Sequence, residues 1–169
     1  LKVDTVWPAA WWNLNVQLLH YPVPVANHID LNEPLKKLLK QELDNGNLIR
    51  NAPETMRHDS AYFGNPTTVH DLINDAVYWN GRNLSGTARP AARLNHLPWL
   101  CHTIWEEYRR TMDETLLREL LFPLTRRAYS FIFHFLEEGG DGRLHVKDIY
   151  SSEYGAADDA NEAIAMIHW

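Results

Sequence analysis

The stretches LPWLCHTIWEEYRR (residues 97–110) and DETLLRELLFPLTRRAYSFIFHF (residues 113–135) decide the fold of this chain. Their apolar residues recur three and four positions apart, which is the spacing of one helix face. Asp113 is placed to cap the second helix, Pro123 is expected to kink it, and Gly139-Gly140 is expected to close it. The pattern therefore predicts two long helices joined as a hairpin.

Shorter helices are predicted on either side of this hairpin. Asn32-Glu33-Pro34 indicates a helix start with an Asn cap, and Asn45-Gly46 indicates its end. Asp141-Gly142 is a turn signal for a short β-hairpin near 143–150. Further helices are expected over about residues 13–21, where Leu14, Leu18 and Leu19 have helical spacing, and over about residues 68–78 and 158–168. The predicted class is all-α, and such hairpins fit an α/α toroid as well as a helix bundle.

The composition is that of one globular domain. The chain has 169 residues and a net charge of −6, which argues against a nucleic-acid partner. Lys36, Lys37 and Lys40 are interpreted as a solvated helix face, and the single Cys101 as a small buried residue. No apolar run of about 18 residues is present, so no membrane span is expected. Both ends, at Leu1 and Trp169, read as interior to a longer chain.

Two short segments carry residue types suited to a carbohydrate site. In Trp11-Trp12-Asn13-Leu14-Asn15 an aromatic pair leads into two asparagines, and in Ser151-Ser152-Glu153-Tyr154 a carboxylate stands beside a tyrosine. Indole faces stack on the C–H faces of sugars, and amides pair with sugar hydroxyls. A partly desolvated carboxyl can donate a proton to a leaving oxygen.

Each of these residues also has a plainer interpretation. Glu153 could be an ordinary loop acid, and the two asparagines could be a polar helix cap. Trp11 and Trp12 could be core residues, since tryptophans on helices more often are. His96 and His102 lie six apart, which is not a metal spacing, and no serine-hydrolase elbow or phosphate loop occurs. We therefore expect no metal and no cofactor.

In order and spacing, several motifs together resemble the catalytic domain of glycoside hydrolase family 95. They are Trp12-Asn13-Leu14-Asn15, Asn32-Glu33-Pro34-Leu35, Trp99-Leu100-Cys101-His102, Phe122-Pro123-Leu124 and Ser151-Ser152-Glu153-Tyr154-Gly155. The resemblance implies that residues 1–169 are the N-terminal portion of one (α/α)6 glycosidase domain, truncated at both ends. It also implies that these residues alone are inactive and that the full-length parent is secreted or periplasmic.

The resemblance further implies an inverting exo-glycosidase that removes terminal α-L-fucosyl or α-L-galactosyl residues from oligosaccharides or polysaccharides. Glu153 matches the family's general acid, and Asn13 and Asn15 match an asparagine pair that helps a carboxylate base to activate water. Trp11 and Trp12 would then be walls of the sugar pocket.

Three departures from the family pattern limit this assignment. The family's base is an aspartate downstream of this chain, and Ser152 stands where proline usually precedes the acid. A family stretch of the form His-x-Asn-x-Asp-Leu-Trp corresponds here to residues 57–64, which read RHDSAYFG. The rival interpretations are a helical carbohydrate-binding or scaffold fragment without catalysis and, more weakly, a phosphorylase.

Overall fold

The computed structural model describes residues 10–11, 15–62, 66–67, 94, 96–146, 149–151 and 155–157. For residues 10, 11, 15, 66 and 67, and for 149–151 and 155–157, this description covers the backbone and not the side chains. The helices predicted over 68–78 and 158–168 lie outside the described residues, so they remain predictions.

Helices make up most of the described chain. They are α1 (Asn15–His20), α2 (Pro22–Val25), α3 (Glu33–Asp44), α4 (Asn47–Asn51), α5 (His96–Thr111), α6 (Glu114–Leu116), a π segment (Leu117–Leu121) and α7 (Phe122–Phe133). Two 3₁₀ turns are also present: Ile29–Asn32 lies between α2 and α3, and Glu54–Met56 follows α4. The predicted long hairpin is confirmed, because α5 packs against α7 and only two residues separate α5 from α6.

The strands are short and pair two by two. They are β1 (Ala10–Trp11), β2 (Pro66–Thr67), β3 (Leu136–Glu138), β4 (Leu144–Val146), β5 (Ile149–Ser151) and β6 (Gly155–Ala157). The antiparallel pairs are β1 with β2, β3 with β4, and β5 with β6. The β-structure predicted near 143–150 thus belongs to two hairpins: β4 of the first lies within that range, and β5 of the second begins in it and ends at Ser151.

The main core lies between α3, α4 and the α5–α7 hairpin. Its fully buried members include Leu39, Leu48, Leu100, Ile104 and Leu124. A smaller cluster forms where the chain around Tyr62 meets the end of α7 at Phe131 and Ile132. The N–H of Ala61 donates to the carbonyl of Arg127 (3.2 Å), and that of Tyr62 to the carbonyl of Leu48 (2.9 Å). The first bond ties residues 57–62 to α7, and the second ties them to α4.

The capping prediction for the second long helix is confirmed. Asp113 Oδ1 accepts hydrogen bonds from the N–H groups of Thr115 (2.9 Å) and Leu116 (3.2 Å). At Pro123 the chain stays helical, with the π segment just before it and the proline in the first turn of α7. The proline lies inside a continuous helical run, so its missing N–H leaves one helix hydrogen bond unmade, and the π turn just before it accommodates this irregularity.

The predicted end of that helix at Gly139-Gly140 is wrong. α7 ends at Phe133, and Leu136–Glu138 pairs with Leu144–Val146 instead. The pairing partner lies several residues further along the chain, so helical periodicity could not reveal it. Phe135 still packs on Phe131 (ring centroids 5.1 Å apart), which explains why the apolar pattern runs past the end of the helix.

The predicted cap at Asn32 is also wrong. Asn32 precedes α3 with helical backbone angles and makes no side-chain capping bond. Its side chain is fully buried, where it bonds to other side chains instead. Lys36 is likewise not solvated as predicted, because its side chain is only 14% exposed and contacts a buried carboxylate. The buried state of Cys101 is confirmed.

Candidate functional site

The candidate site residues from the sequence fall largely outside the described part of the chain. Trp12, Asn13 and Glu153 lie outside it, and Trp11 and Asn15 are described by their backbone alone. The backbone of Trp11 pairs with Pro66, and Asn15 is the first residue of α1. The roles of these residues therefore remain predictions. The described residues show what holds helix α1, which begins at Asn15, in place.

Helix α1, which begins at Asn15, buries a polar side chain, and Val16 beside it packs against the main core. Gln17 is fully buried, whereas Leu18 and Leu19 are exposed. The helix predicted here is confirmed, but Leu18 and Leu19, whose spacing helped to indicate it, do not form its buried face. The helix packs against α5, and its last residue, His20, bonds to the buried Asn32.

A buried polar network continues from His20 to α5. His20 Nδ1 donates to Asn32 Oδ1 (2.8 Å), and Asn32 Nδ2 donates to Glu107 Oε2 (3.0 Å). Lys36 Nζ donates to Glu107 Oε1 (2.5 Å) and also contacts Glu33 Oε1 (2.5 Å). Glu107 is only 2% exposed, so the amide and the ammonium replace the water that this carboxylate would otherwise need.

The electrostatics of this network favour a charged lysine. Burial lowers the pKa of Lys36, but the bonds to Glu107 and Glu33 outweigh that effect, and the pKa lies above its usual value of 10.5. Lys36 therefore keeps its charge throughout the neutral range, and the free energy that it contributes to folding is lost only at strongly alkaline pH. The network positions α1 against α5 rather than supplying a reacting group.

Beside the network lies a small cavity of about 10 Å³, which is room for about one water molecule. Tyr21 Oη and His102 Nδ1 are 3.1 Å apart at its wall, and Glu106 Oε1 lies 3.9 Å from His102 Nε2. Burial and the charge of Arg109 lower the pKa of His102 despite the neighbouring Glu106, so the imidazole is neutral at pH 7. The cavity is far too small for a sugar ring.

A larger groove of about 420 Å³ runs between α5, the π segment and α7. Its lining residues are Cys101, Trp105, Leu117, Leu121, Phe122, Thr125 and Tyr129. Burial raises the pKa of the Cys101 thiol to about 12, and it also raises the pKa of Tyr129 to about 12. Neither group is ionised at neutral pH, and none of the lining residues is a carboxylate. The groove thus lacks the pair of acids that glycoside hydrolysis requires.

A cluster that the sequence did not reveal joins His58 and Asp59 to His134. Two of its members are adjacent in sequence and the third lies 75 residues after Asp59, so no spacing motif could signal it. The only sequence signal was that residues 57–64 depart from the family pattern. This cluster is separate from the segments that carry the predicted sugar site.

The described architecture is of the α/α class, built from helices that pack as hairpins with short strand pairs between them. The model of the glycosyl hydrolase family 95 catalytic domain matches residues 2–168, nearly the whole chain. The chain therefore belongs to glycosyl hydrolase family 95. Among curated proteins and among solved structures, none matches the chain.

Membership of this family settles the coarse function. The chain is part of a glycoside hydrolase domain, its substrate is a carbohydrate, and its helices form part of an (α/α)6 toroid. The resemblance seen in the sequence and the predicted fold class are both confirmed. Within the described residues, no helix combines the length and apolar character needed to cross a membrane.

Proposed function

We propose that this domain removes terminal α-L-fucosyl or α-L-galactosyl residues from oligosaccharides or polysaccharides, with inversion at the anomeric carbon. The observation that carries the proposal is the family match over residues 2–168, which includes both the Asn-x-Asn segment and the segment around Glu153. An inverting enzyme needs one carboxylic acid to protonate the leaving oxygen and a base to activate water on the opposite face of the sugar.

In this proposal Glu153 is the general acid. Asn13 and Asn15 orient the attacking water together with a carboxylate base from outside residues 1–169, and Trp11 and Trp12 form walls of the sugar pocket. Because the base is expected elsewhere, the 169 residues by themselves should be inactive.

The described backbone on either side of the acid supports this role. Ser151 pairs with Gly155 in the β5–β6 hairpin, so ordered backbone flanks Glu153 on both sides. This pairing compensates in part for Ser152, which lacks the backbone restriction of the usual proline. The bond between His20 and Asn32 anchors the end of α1, the helix that begins at Asn15.

The test is turnover by the full-length protein and its Glu153→Gln variant. The substrates are nitrophenyl α-L-fucoside, nitrophenyl α-L-galactoside and a panel of fucosylated oligosaccharides. Loss of a general acid should lower turnover by roughly 10²–10⁴-fold. Glu138→Gln is the matched control, because it makes the same chemical change at an exposed position of β3 and should leave turnover unchanged.

The stereochemistry is read by proton NMR of the first product formed. Release of the β-anomer from an α-linked substrate supports inversion, and release of the α-anomer contradicts it. If neither protein turns over any of these substrates but both bind the oligosaccharides equally well, a carbohydrate-binding role replaces the proposed enzyme. Equal turnover in both proteins would remove Glu153 from the mechanism.

A further inference from the structure

Three side chains with metal-ligating atoms converge where residues 57–62 meet the end of α7. The ligand atoms of His58, Asp59 and His134 all lie within 4.8 Å of one another. His134 Nε2 is 2.9 Å from Asp59 Oδ1, and His58 Nε2 is 3.5 Å from Asp59 Oδ2. The two imidazole rings meet edge to face, with centroids 5.7 Å apart.

The surroundings already orient these atoms. His58 Nδ1 lies 3.1 Å from the carbonyl oxygen of Thr55, so the proton belongs on Nδ1 and the lone pair of Nε2 points toward the cluster. Ser60 Oγ donates to Asp59 Oδ1 (2.8 Å). A carbonyl behind the histidine and a donor behind the carboxylate are the outer contacts that metal sites use to fix their ligands.

The backbone that carries the three ligands is also held by hydrogen bonds. Ser60 is fully buried, and its N–H donates to the carbonyl of Met56 (2.9 Å). The N–H of Ala61 donates to the carbonyl of Arg127 in α7 (3.2 Å). His134 follows α7 directly, and its own N–H donates to the carbonyl of Ser130 (3.3 Å). The three ligands therefore stand on backbone that is already in place.

We propose that His58, Asp59 and His134 form a binding site for a divalent transition-metal ion of the Zn²⁺ class. In a tetrahedral zinc site with bonds of about 2.0–2.1 Å, neighbouring ligand atoms are about 3.3 Å apart. The separations of 2.9 Å from His134 Nε2 to Asp59 Oδ1 and 3.5 Å from His58 Nε2 to Asp59 Oδ2 bracket that value, so small side-chain rotations bring the three ligands around one ion. Water would complete the coordination.

The donor set decides the class of ion. Two imidazoles and one carboxylate suit Zn²⁺, Co²⁺ or Ni²⁺, whereas Ca²⁺ and Mg²⁺ prefer shells made of oxygen atoms. Bound there, the ion would tie residues 57–62 to the end of α7. This role is independent of the sugar chemistry and does not rest on the proposed substrate.

The test is calorimetric titration of the chelator-treated full-length protein with ZnCl₂, followed by CoCl₂ to read the visible absorption of a tetrahedral site. The wild type should bind one Zn²⁺. His58→Ala and His134→Ala should each bind Zn²⁺ at least about 100-fold more weakly than the wild type. Ser60→Ala, which removes only an outer contact, should weaken binding by about 10–100-fold. Binding should also weaken in acid, because protons compete for the imidazoles.

His145→Ala is the matched control. His145 Nε2 and Asp141 Oδ1 are also 2.9 Å apart, but this pair is not part of a three-ligand group among the described residues. Zinc affinity should be unchanged in this variant. His58 is 67% exposed, so its replacement leaves the fold intact even if the His134 variant is unstable. Equal affinity and stoichiometry in the wild type and in His58→Ala, or no binding in the wild type, would overturn the proposal.

Discussion

Replacing Lys36 with methionine tests whether the buried network stabilises the domain. The ammonium of Lys36 contacts Glu107 at 2.5 Å, and Glu107 is only 2% exposed. Methionine fills a similar volume but cannot donate a hydrogen bond, so the carboxylate keeps only the bond from Asn32. The variant leaves a buried charge without its counterion.

The expected loss follows from this burial. Removing one partner of a buried ion pair costs about 3–5 kcal/mol. The Lys36 side chain is 14% exposed, and Glu107 keeps its bond from Asn32. We therefore expect a loss at the lower end of this range, about 3 kcal/mol. Lys40→Met in the same helix is the matched control. Its pair with Asp44 is open to solvent on both sides, so its loss should cost about 0.3–0.5 kcal/mol.

The assay is urea denaturation of the full-length protein, followed by circular dichroism at pH 7. A double variant, Lys36→Met with Glu107→Gln, separates charge from packing. Glutamine keeps an oxygen that accepts from Asn32 and removes the buried charge, so it should restore at least about 1.5 kcal/mol. If Lys36→Met and Lys40→Met differ by less than 0.5 kcal/mol, or if the second change restores nothing, the reasoning about burial is refuted.

Two further predictions concern Cys101 and the glycine turns. Burial raises the pKa of Cys101 from 9.0 to about 12, so the unfolded state loses this proton first and the free energy of unfolding falls by about 1.4 kcal/mol for each pH unit above 9. In denaturant titrations at pH 9–11, the free energy of unfolding of Cys101→Ala should fall less steeply than that of the wild type, by about 1.4 kcal/mol per pH unit, and equal slopes would contradict the assignment. Gly46 has φ +72°, so Gly46→Ala should cost about 1 kcal/mol. Gly140→Ala should cost almost nothing, because a Cβ there meets open space; equal melting temperatures for the two variants would count against the strain argument.

Local patterns in the sequence predicted most of the helices. The α5–α7 hairpin and the Asp113 cap depend on residues within one or two helical turns of each other, so periodicity and capping chemistry were sufficient. The same reasoning missed the end of α7 at Phe133, because the pairing of β3 with β4 is a contact between separate segments. It also did not show that Leu18 and Leu19 are exposed, because the buried side of α1 is formed by Val16 and Gln17.

The polar network and the His58 cluster could not be predicted at all. Lys36 and Glu107 are 71 residues apart, and each stands in an ordinary amphipathic pattern. Asp59 and His134 are 75 residues apart. Only the packing of the helices brings such residues together. The catalytic roles of Glu153, Asn13 and Asn15 depend on family resemblance, and they remain predictions until turnover is measured.

The docking of residues 57–62 on α7 has a consequence for synthesis on the ribosome. Ala61 bonds to Arg127 and Tyr62 packs on Phe131, so these contacts cannot form until α7 has emerged from the ribosome. At about 5–20 residues per second, the roughly 70 intervening residues take about 4–14 s to translate. Leu39 and Leu48 belong to a core that is completed only when α5, the π segment and α7 have been made. The nascent chain thus presents an apolar surface that a holding chaperone can recognise, and slower translation between residues 62 and 133 would prolong that exposure.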